Sequence, residues 1–261
     1  MARKSNKTKE FLPKPGLIMI VGNYGSGKTE VSVNLAIQFR KRGFPVQLAD
    51  LDIVNPYFRC REARTLMEQH GIRVVVPPGH QAWADLPIIV PEIQGMLSPG
   101  AEGFRMFDVG GDDVGAKLIS SFHQRLGDSP YGLWQVINAR RPFTDTVQGC
   151  VKMMHAIEDA SRLKVNGLIA NTHLITETNL DVILQGLDLT REVSATTGRE
   201  IKFVTAMGSL ADEPKLAESG VRVVRLQRYM LPPWIDDKDE QSDSNMPAAR
   251  PVPIGRPSGV D

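Results

Sequence analysis

The sequence predicts a single three-layer α/β domain with a mostly parallel sheet of seven or eight strands. Three observations support this fold. Short apolar runs alternate with longer helical patterns between about residues 16 and 235. Several of the short runs are apolar almost without interruption, which is typical of strands that are covered on both faces. The repeated strand–helix–strand order implies right-handed crossovers and therefore parallel strands.

Eight apolar runs are the strand candidates, at residues 17–21, 46–50, 73–76, 104–109, 133–138, 167–171, 201–205 and 221–226. Helical patterns lie between them, near residues 28–42, 59–69, 113–126, 144–160, 179–197 and 209–218. The first helix has the clearest periodicity, because Val31, Leu35 and Phe39 recur on one face and Gly43 follows as a stop signal.

The segments outside this pattern have a different composition. Residues 1–15 are polar and basic, and we expect a flexible arm. Residues 236–261 are acidic and rich in Pro, Ser and Gly, and we expect a disordered tail. The domain would then span residues 16–235. The proline-rich connection 77–100 is long for a plain link, so it is either a functional or partner surface or a short helix packed by Leu86, Ile89 and Ile93.

Charge and composition exclude several classes of partner. The chain has 31 basic and 30 acidic residues among 261, a net charge of +1, so no overall field attracts nucleic acid. No apolar run approaches the roughly 20 residues that cross a bilayer, and the first residues do not resemble a signal peptide. Cys60 and Cys150 form no CxxC metal motif. We therefore expect a cytoplasmic protein. We expect no membrane partner and do not expect nucleic acid to be a partner.

The strongest motif is the segment Gly22-Asn23-Tyr24-Gly25-Ser26-Gly27-Lys28-Thr29, which fits GxxxxGK[ST] in full. It follows an apolar strand and opens an amphipathic helix, which is the context that this motif requires. Main-chain amides and the helix dipole would bind phosphates. Lys28 would neutralise the β- and γ-phosphates, and the Thr29 hydroxyl would ligate Mg²⁺. The motif predicts a phosphate-binding loop (P-loop) for a nucleoside triphosphate.

Carboxylates follow two of the predicted strands. Asp50 and Asp52 come after the second strand, and Asp108 ends the fourth. Gly111 completes a D-x-x-G motif whose glycine amide could contact a γ-phosphate. Ligands of open α/β sheets bind at the carboxyl ends of the strands, which favours a functional role for these residues over the alternative of helix capping.

The combination of GNYGSGKT, DLDI and D-x-x-G resembles the P-loop ATPases related to MinD, ParA and the CobQ/CobB group, over roughly residues 16–226. The resemblance implies that Asp50 supports the Mg²⁺ shell, that Asp52 orients the hydrolytic water, and that Asp108 is the Walker B acid. Lys28 and Asp52 would then be the catalytic residues, and Thr29, Asp50 and Asp108 would hold the metal.

The sequence departs from this family pattern inside the loop. The resembling ATPases usually carry a second, signature lysine that reaches the partner's nucleotide across a dimer; here Asn23 occupies its place, and Tyr24 replaces a glycine. A homodimer is therefore an open possibility. Arg59 or Arg140 could substitute, although a surface or capping role is the preferred interpretation. Arg140 and Arg141 could also hold an anionic substrate, but a solvated basic turn is preferred.

Asn171, at the end of the sixth predicted strand, is the candidate for reading the base. In the resembling ATPases an asparagine at this place contacts adenine, and its amide both donates and accepts. The alternative is a turn-forming asparagine. The sequence has no [NT]KxD motif, which guanine-binding proteins of related architecture carry. We therefore expect ATP rather than GTP.

The leading functional hypothesis is a slow Mg²⁺-dependent ATPase that binds ATP and ADP and acts as a nucleotide switch on an unknown protein client. A second class is a P-loop small-molecule kinase or a CobQ/CobB-like ATP-dependent ligase. A third is an adaptor that binds nucleotide without turnover.

Overall fold

A computed structural model describes residues 13–51, 61–76, 91–98, 100–110, 113–231 and 252–253. Almost all of the predicted arm and tail lie outside these residues. The predicted site residues Asp52 and Gly111, and also Arg59 and Cys60, lie outside them as well. In the part of the chain that is described, no helix combines the length and the apolar character that a membrane span requires.

The fold is organised around one sheet of eight parallel strands in the order β3-β2-β4-β1-β5-β6-β7-β8. This confirms the predicted α/β class. The strands are β1 Leu17–Gly22, β2 Val46–Leu51, β3 Arg73–Val75, β4 Phe104–Val109, β5 Tyr131–Ile137, β6 Gly167–Ala170, β7 Ile201–Met207 and β8 Val223–Leu226. Two short strands, β9 Met230–Leu231 and β10 Val252–Pro253, pair with each other.

The helices lie between the strands, close to where the periodicity predicts them. They are α1 Lys28–Lys41, α2 Arg61–Gln69, α3 Pro91–Leu97, α4 Asp113–Leu126, α5 Val147–Ser161, α6 Leu180–Thr197 and α7 Pro214–Glu218. Short 3₁₀ turns cover Ile175–Glu177 and Gly208–Asp212.

One segment differs from the prediction, and a second matches one of the two alternatives left open for it. The single helix expected over 209–218 is a 3₁₀ turn followed by α7, because Pro214 has no amide hydrogen to continue a helix and instead begins a new one. In the 77–100 connection the described part contains α3, where Ile93 is buried as expected. Leu86 and Ile89 lie outside the described residues.

Both faces of the sheet are buried, which explains the uninterrupted apolar strands. On one face, α1 packs against β1, β2 and β4, and the rings of Phe39 and Phe104 stack with centroids 3.9 Å apart. On the other face, α4 and α5 cover the strands, and Phe107 contacts Phe122 with ring centroids 5.2 Å apart. The residues of each strand therefore alternate between two apolar layers.

The strand order places a crevice next to β1. The chain leaves β1 towards β2 on one side of the sheet, and it leaves the neighbouring strand β5 towards β6 on the other side. Where two adjacent parallel strands send their connections in opposite directions, a crevice opens at their carboxyl ends. The GxxxxGKT segment begins at this point, because Gly22 is the last residue of β1.

Candidate functional site

The loop between β1 and α1 curls around the tip of Lys28. The Nζ atom of Lys28 donates to the Asn23 carbonyl at 3.1 Å, and the Ser26 amide donates to the same carbonyl at 3.2 Å. Lys28 is the first residue of α1, and its partly exposed neighbour Thr29 is the second. The strand–loop–helix context that the motif requires is therefore present.

The start of α1 has donors that no capping side chain satisfies. Its N-cap residue is Gly27, at φ 86°, and no side chain caps the helix there. The amides of a first helical turn need an acceptor from outside the helix. The hydroxyl of Ser26 is also buried, and it has no hydrogen-bond partner among the described residues. Backbone and side-chain donors with this arrangement fit a phosphate group.

Asn171 anchors the loop from the end of β6. Its Nδ2 atom donates to the Ser26 carbonyl at 2.7 Å, and its Oδ1 atom accepts a hydrogen bond from the Thr205 hydroxyl. A Cβ atom on Gly27 would lie only 2.3 Å from Asn171 Nδ2. Both ends of the amide are therefore engaged within the protein. Each end could make one further hydrogen bond, and contact with an adenine base stays a prediction.

Asp50 and Asp108 lie side by side on adjacent strands. They are direct partners in the β2–β4 register and are 3% and 1% exposed. Both alternate onto the face of the sheet that α1 covers, and the Ser32 hydroxyl of α1 donates to Asp108 Oδ1 at 3.3 Å. Two carboxylates beside the helix that carries Thr29 are the oxygen donors that Mg²⁺ prefers.

The connection after β5, residues 138–146, contacts the phosphate-binding loop directly. Arg141 donates from Nε to the Gly25 carbonyl at 2.9 Å, and Asn23 donates from Nδ2 to the Pro142 carbonyl at 2.7 Å. Arg140 instead donates to Gln185 on α6. Arg140 is exposed and contacts α6, in line with the surface role preferred for it. Arg141, for which a solvated basic turn was the preferred interpretation, instead contacts the loop.

His173 is a site residue that the sequence analysis missed. A Cβ atom on Gly27 would lie 3.2 Å from its Nε2 atom, so the imidazole lies against the phosphate-binding loop. Burial lowers the pKa of His173 to about 4, and the charges of Arg141 and Arg228 act in the same direction. The imidazole is thus neutral at physiological pH. A lone histidine after a strand gave no sequence signal of this proximity.

A phosphate-binding loop between a central strand and a helix, with carboxylates at the ends of two neighbouring strands, defines a P-loop nucleoside triphosphatase fold. The model of the CobQ/CobB/MinD/ParA nucleotide binding domain matches residues 18–196. The chain belongs to this family of nucleotide-binding P-loop proteins.

Individual relatives cover less of the chain or are more distant. The signal recognition particle 54 kDa protein of Sulfolobus acidocaldarius is 45% identical over 78 residues, which are 29% of this chain and 17% of that protein. The cell division protein FtsY of Thermotoga maritima is 19% identical with a TM-score of 0.52, over 77% of this chain and 66% of its own. Chloroplast FtsY of Physcomitrella patens is 17% identical with a TM-score of 0.50, over 75% and 60%. These two structures are similar in fold.

Proposed function

We propose that this protein is a Mg²⁺-dependent ATPase that works as a slow nucleotide switch on a protein client. The proposal is based on the closeness of the phosphate-binding loop to the carboxylate of Asp108. The phosphate-binding loop, with the unpartnered and buried hydroxyl of Ser26, lies at the start of the helix whose Ser32 contacts Asp108. The proposed phosphate donors and the proposed metal-binding carboxylates therefore lie at the same helix.

The loop would hold the phosphates of the nucleotide. The amides between Gly22 and Thr29 and the uncapped start of α1 would donate to the phosphate oxygens. Lys28 would exchange its bond with the Asn23 carbonyl for the β- and γ-phosphates. Asn23, Tyr24, Gly25, Ser26 and Gly27 would contribute main-chain contacts, and Gly111 would contribute its amide from the D-x-x-G motif.

Thr29, Asp50 and Asp108 are the residues proposed to hold Mg²⁺. Their donors are all oxygen atoms, and an ion bound through a hydroxyl, carboxylates, water and phosphate oxygens has the environment that Mg²⁺ prefers. When bound, the ion would offset the charge of the β- and γ-phosphates. The Ser32 hydroxyl would keep Asp108 oriented, since it donates to Oδ1 of that carboxylate.

Hydrolysis needs a group that positions the attacking water. Asp52 is proposed for this role by resemblance to the family, and it follows β2 two residues after Asp50. The water oxygen would attack the γ-phosphorus, the bond to the bridging oxygen would break, and ADP and phosphate would leave. The change from ATP to ADP would alter the contacts of the phosphate-binding loop with the connections after β5 and β6.

The proposed base is adenine. The absence of an [NT]KxD motif from the sequence supports this choice, together with the position of Asn171 at the edge of the loop. Guanine is the alternative and is an arm of the test. The proposed client is a protein and not a nucleic acid, since a net charge of +1 gives no general attraction for nucleic acid. A cytoplasmic location is proposed for both.

Phosphate release from ATP and from GTP, with and without Mg²⁺, tests the activity. The wild type should hydrolyse ATP slowly and only with Mg²⁺. Lys28→Ala should lose nucleotide binding, whereas Asp52→Asn should bind ATP and lose at least about tenfold in turnover. Unchanged turnover in Asp52→Asn would refute the role of that residue. Faster hydrolysis of GTP than of ATP would refute the base assignment.

The oligomeric state tests the switch separately. Light scattering with ATP, with ADP and without nucleotide would show whether the mass follows the nucleotide. A mass that doubles with ATP alone would support a nucleotide-gated homodimer. A mass that stays at the single-chain value under all three conditions would indicate a monomer, and transfer of the γ-phosphate to a small molecule would then be the better hypothesis.

A further inference from the structure

The connection after β5 is held rigid by its own hydrogen bonds. Asn138 is the centre: its carbonyl accepts from the Arg141 amide at 3.1 Å and from the Thr144 hydroxyl at 3.0 Å, and its Oδ1 atom accepts from the Arg140 amide at 2.9 Å. Phe143 adopts φ 69°, which is unfavourable for a residue with a side chain. Strained backbone of this kind persists where the surrounding contacts determine it.

The same connection is tied to both neighbouring loops. The Ala139 amide donates to the Thr172 hydroxyl after β6 at 3.0 Å. On the other side, Asn23 of the phosphate-binding loop donates to the Pro142 carbonyl. Arg141 therefore extends from a fixed platform, so that little entropy would be lost when its guanidinium binds a ligand.

The guanidinium of Arg141 lies directly over Gly25. A Cβ atom at Gly25 would be 2.9 Å from Arg141 Nε and 3.1 Å from its Cζ. Nε donates to the Gly25 carbonyl, and the two terminal nitrogens make no hydrogen bond to any residue in the described ranges. Gly25 has φ 69°, so both its backbone and the space over it favour glycine. Arg141 thus lies over the loop, and its two terminal nitrogens can still donate hydrogen bonds to a ligand.

Lys28 and Arg141 donate to main-chain carbonyls that are two positions apart in the loop. The Lys28 Nζ atom lies at the Asn23 carbonyl, and the lysine of a P-loop reaches the β- and γ-phosphates. Gly25 follows Asn23 by two positions. Asn23 also donates to the carbonyl of Pro142, the neighbour of Arg141, so Lys28 and Arg141 contact the same part of the loop. This shared contact supports a role for Arg141 at the terminal phosphates.

We propose that Arg141 is a phosphate-binding residue supplied by the same chain, whose terminal guanidinium nitrogens donate to the γ-phosphate of a bound triphosphate while Nε stays on Gly25. This inference rests on the proposed function. A triphosphate carries more negative charge than Mg²⁺ and one lysine neutralise, and a fixed guanidinium offers two donors to phosphate oxygens. The site would then need no cation from a partner.

Titration calorimetry with ATP and ADP, both with Mg²⁺, tests the inference on three variants. Arg141→Gln keeps a donor for the Gly25 carbonyl and removes the charge. We expect its affinity for ATP to fall by about 10- to 100-fold, and its affinity for ADP to fall by less than about threefold. Arg141→Lys restores the charge and should recover part of the ATP affinity.

Arg140→Gln is the matched control, because its guanidinium contacts α6 and not the loop. It should leave both affinities within about twofold of wild type. An Arg141→Gln variant with wild-type ATP affinity, or with equal losses for ATP and ADP, would overturn the inference, since the residue would then only position the loop. Thermal melts without nucleotide check that each variant is folded.

The outcome also separates this inference from the proposed function. If the wild type binds neither ATP nor ADP, the proposed function fails and the role of Arg141 fails with it. If the wild type binds both and Lys28→Ala does not, while Arg141→Gln behaves as wild type, the proposed function stands and only the role of Arg141 is refuted.

Discussion

Gly27 shows in atomic terms why the loop motif demands a residue without a side chain. Its φ is +86°, a value that costs a non-glycine residue about 1–2 kcal/mol. A Cβ atom would also lie 2.3 Å from Asn171 Nδ2, the group that anchors the loop. Backbone strain and a steric collision therefore act at the same position.

A comparison of two glycines separates these effects. Gly43, after α1, has φ +87°, but a Cβ atom there would meet no other atom within 4 Å. Gly43→Ala should lower the free energy of unfolding by about 1 kcal/mol and leave nucleotide binding intact. Gly27→Ala should cost more and should abolish binding. Chemical denaturation and calorimetry measure both; equal behaviour of the two variants would show that the Asn171 contact is unimportant.

His173 gives a pH-dependent signal at the site. Its pKa is lowered from 6.5 to about 4 by burial, and then by the charges of Arg141 and Arg228. The unfolded chain therefore binds the proton more tightly than the folded protein. The resulting loss of stability is absent above pH 6.5 and grows as the pH falls towards 4, up to about 3 kcal/mol.

Two measurements on His173 test this lowered pKa and the loss of stability that it causes in acid. Imidazole titration by NMR should give one resonance with a pKa near 4 that is missing in His173→Gln, and bound Mg²⁺–ATP should raise this pKa because phosphate offsets the arginine charges. The variant should also lose stability less steeply between pH 6.5 and 4. A His173 pKa that is the same with and without Mg²⁺–ATP would contradict a nucleotide-binding site at this loop.

Helix α1 carries a polar stripe that binds the end of β8 and the chain that follows it. Glu30 Oε1 accepts from the Tyr229 amide at 2.7 Å. Asn34 pairs with both backbone groups of Gln227, at 2.7 and 2.9 Å, and Gln38 donates to the Arg225 carbonyl at 2.9 Å. The contacting residues are four apart on the helix, a rise of about 6 Å, and their partners are two apart in extended chain, a rise of about 6.6 Å. The two spacings therefore match along the whole stripe.

Asn34 is the buried centre of this stripe, at 3% exposure. Asn34→Leu would remove both hydrogen bonds between Asn34 and the backbone of Gln227, and we expect a loss of about 2–3 kcal/mol in the free energy of unfolding. Gln38→Ala removes one exposed hydrogen bond and should cost less than about 1 kcal/mol. Urea denaturation compares them. A loss in Asn34→Leu no larger than in Gln38→Ala would refute this role.

The sequence predicted the elements better than their arrangement. Apolar runs placed the eight strands to within a few residues, because strands covered on both faces have little polar sequence. The position of β4 between β2 and β1 could not be read from periodicity, since order depends on long-range packing. The break at Pro214 was readable in principle, because proline commonly stands at a helix start.

The site was predictable where a motif or a strand end marks a residue. Lys28, Asp50 and Asp108 belong to this class, and the structure places them around the start of α1. No pattern in the sequence marks His173, and for Arg141 the sequence favours a solvated basic turn over anion binding. Their proximity to the loop depends on how two connections turn, and neighbouring residues in such turns point in opposite directions, as Arg140 and Arg141 do.

Across the protein, Glu158 joins segments that are distant in sequence. Its carboxylate, 6% exposed, pairs with Lys164 at 2.8 Å and Arg199 at 3.2 Å, and it accepts from the Val165 amide at 3.0 Å. Burial alone would raise its pKa, but the Lys164 and Val165 hydrogen bonds and the two nearby positive charges lower the pKa below 4.5. This group therefore links α5, β6 and the start of β7.

Glu158→Gln should lower the free energy of unfolding by about 2 kcal/mol at pH 7. Because the folded pKa is lowered, the contribution of the carboxylate is present above pH 4.5 and is lost as the pH falls further, so the two proteins should converge in acid. Asp188→Asn, which breaks an exposed pair with Arg191, should change stability by less than about 0.5 kcal/mol. If the difference in the free energy of unfolding between the wild type and Glu158→Gln stays constant below pH 4.5, the stabilising role of the Glu158 carboxylate would be contradicted.

The proposed function depends on the binding of a nucleoside triphosphate with Mg²⁺ by the loop around Lys28. Titration calorimetry of the wild type and of Lys28→Ala with ATP and Mg²⁺ tests it most directly. We predict saturable binding of one ATP per chain in the wild type, and no measurable heat in Lys28→Ala. Wild-type protein that releases no heat with either ATP or GTP, or a Lys28→Ala variant that binds as well as wild type, would contradict it.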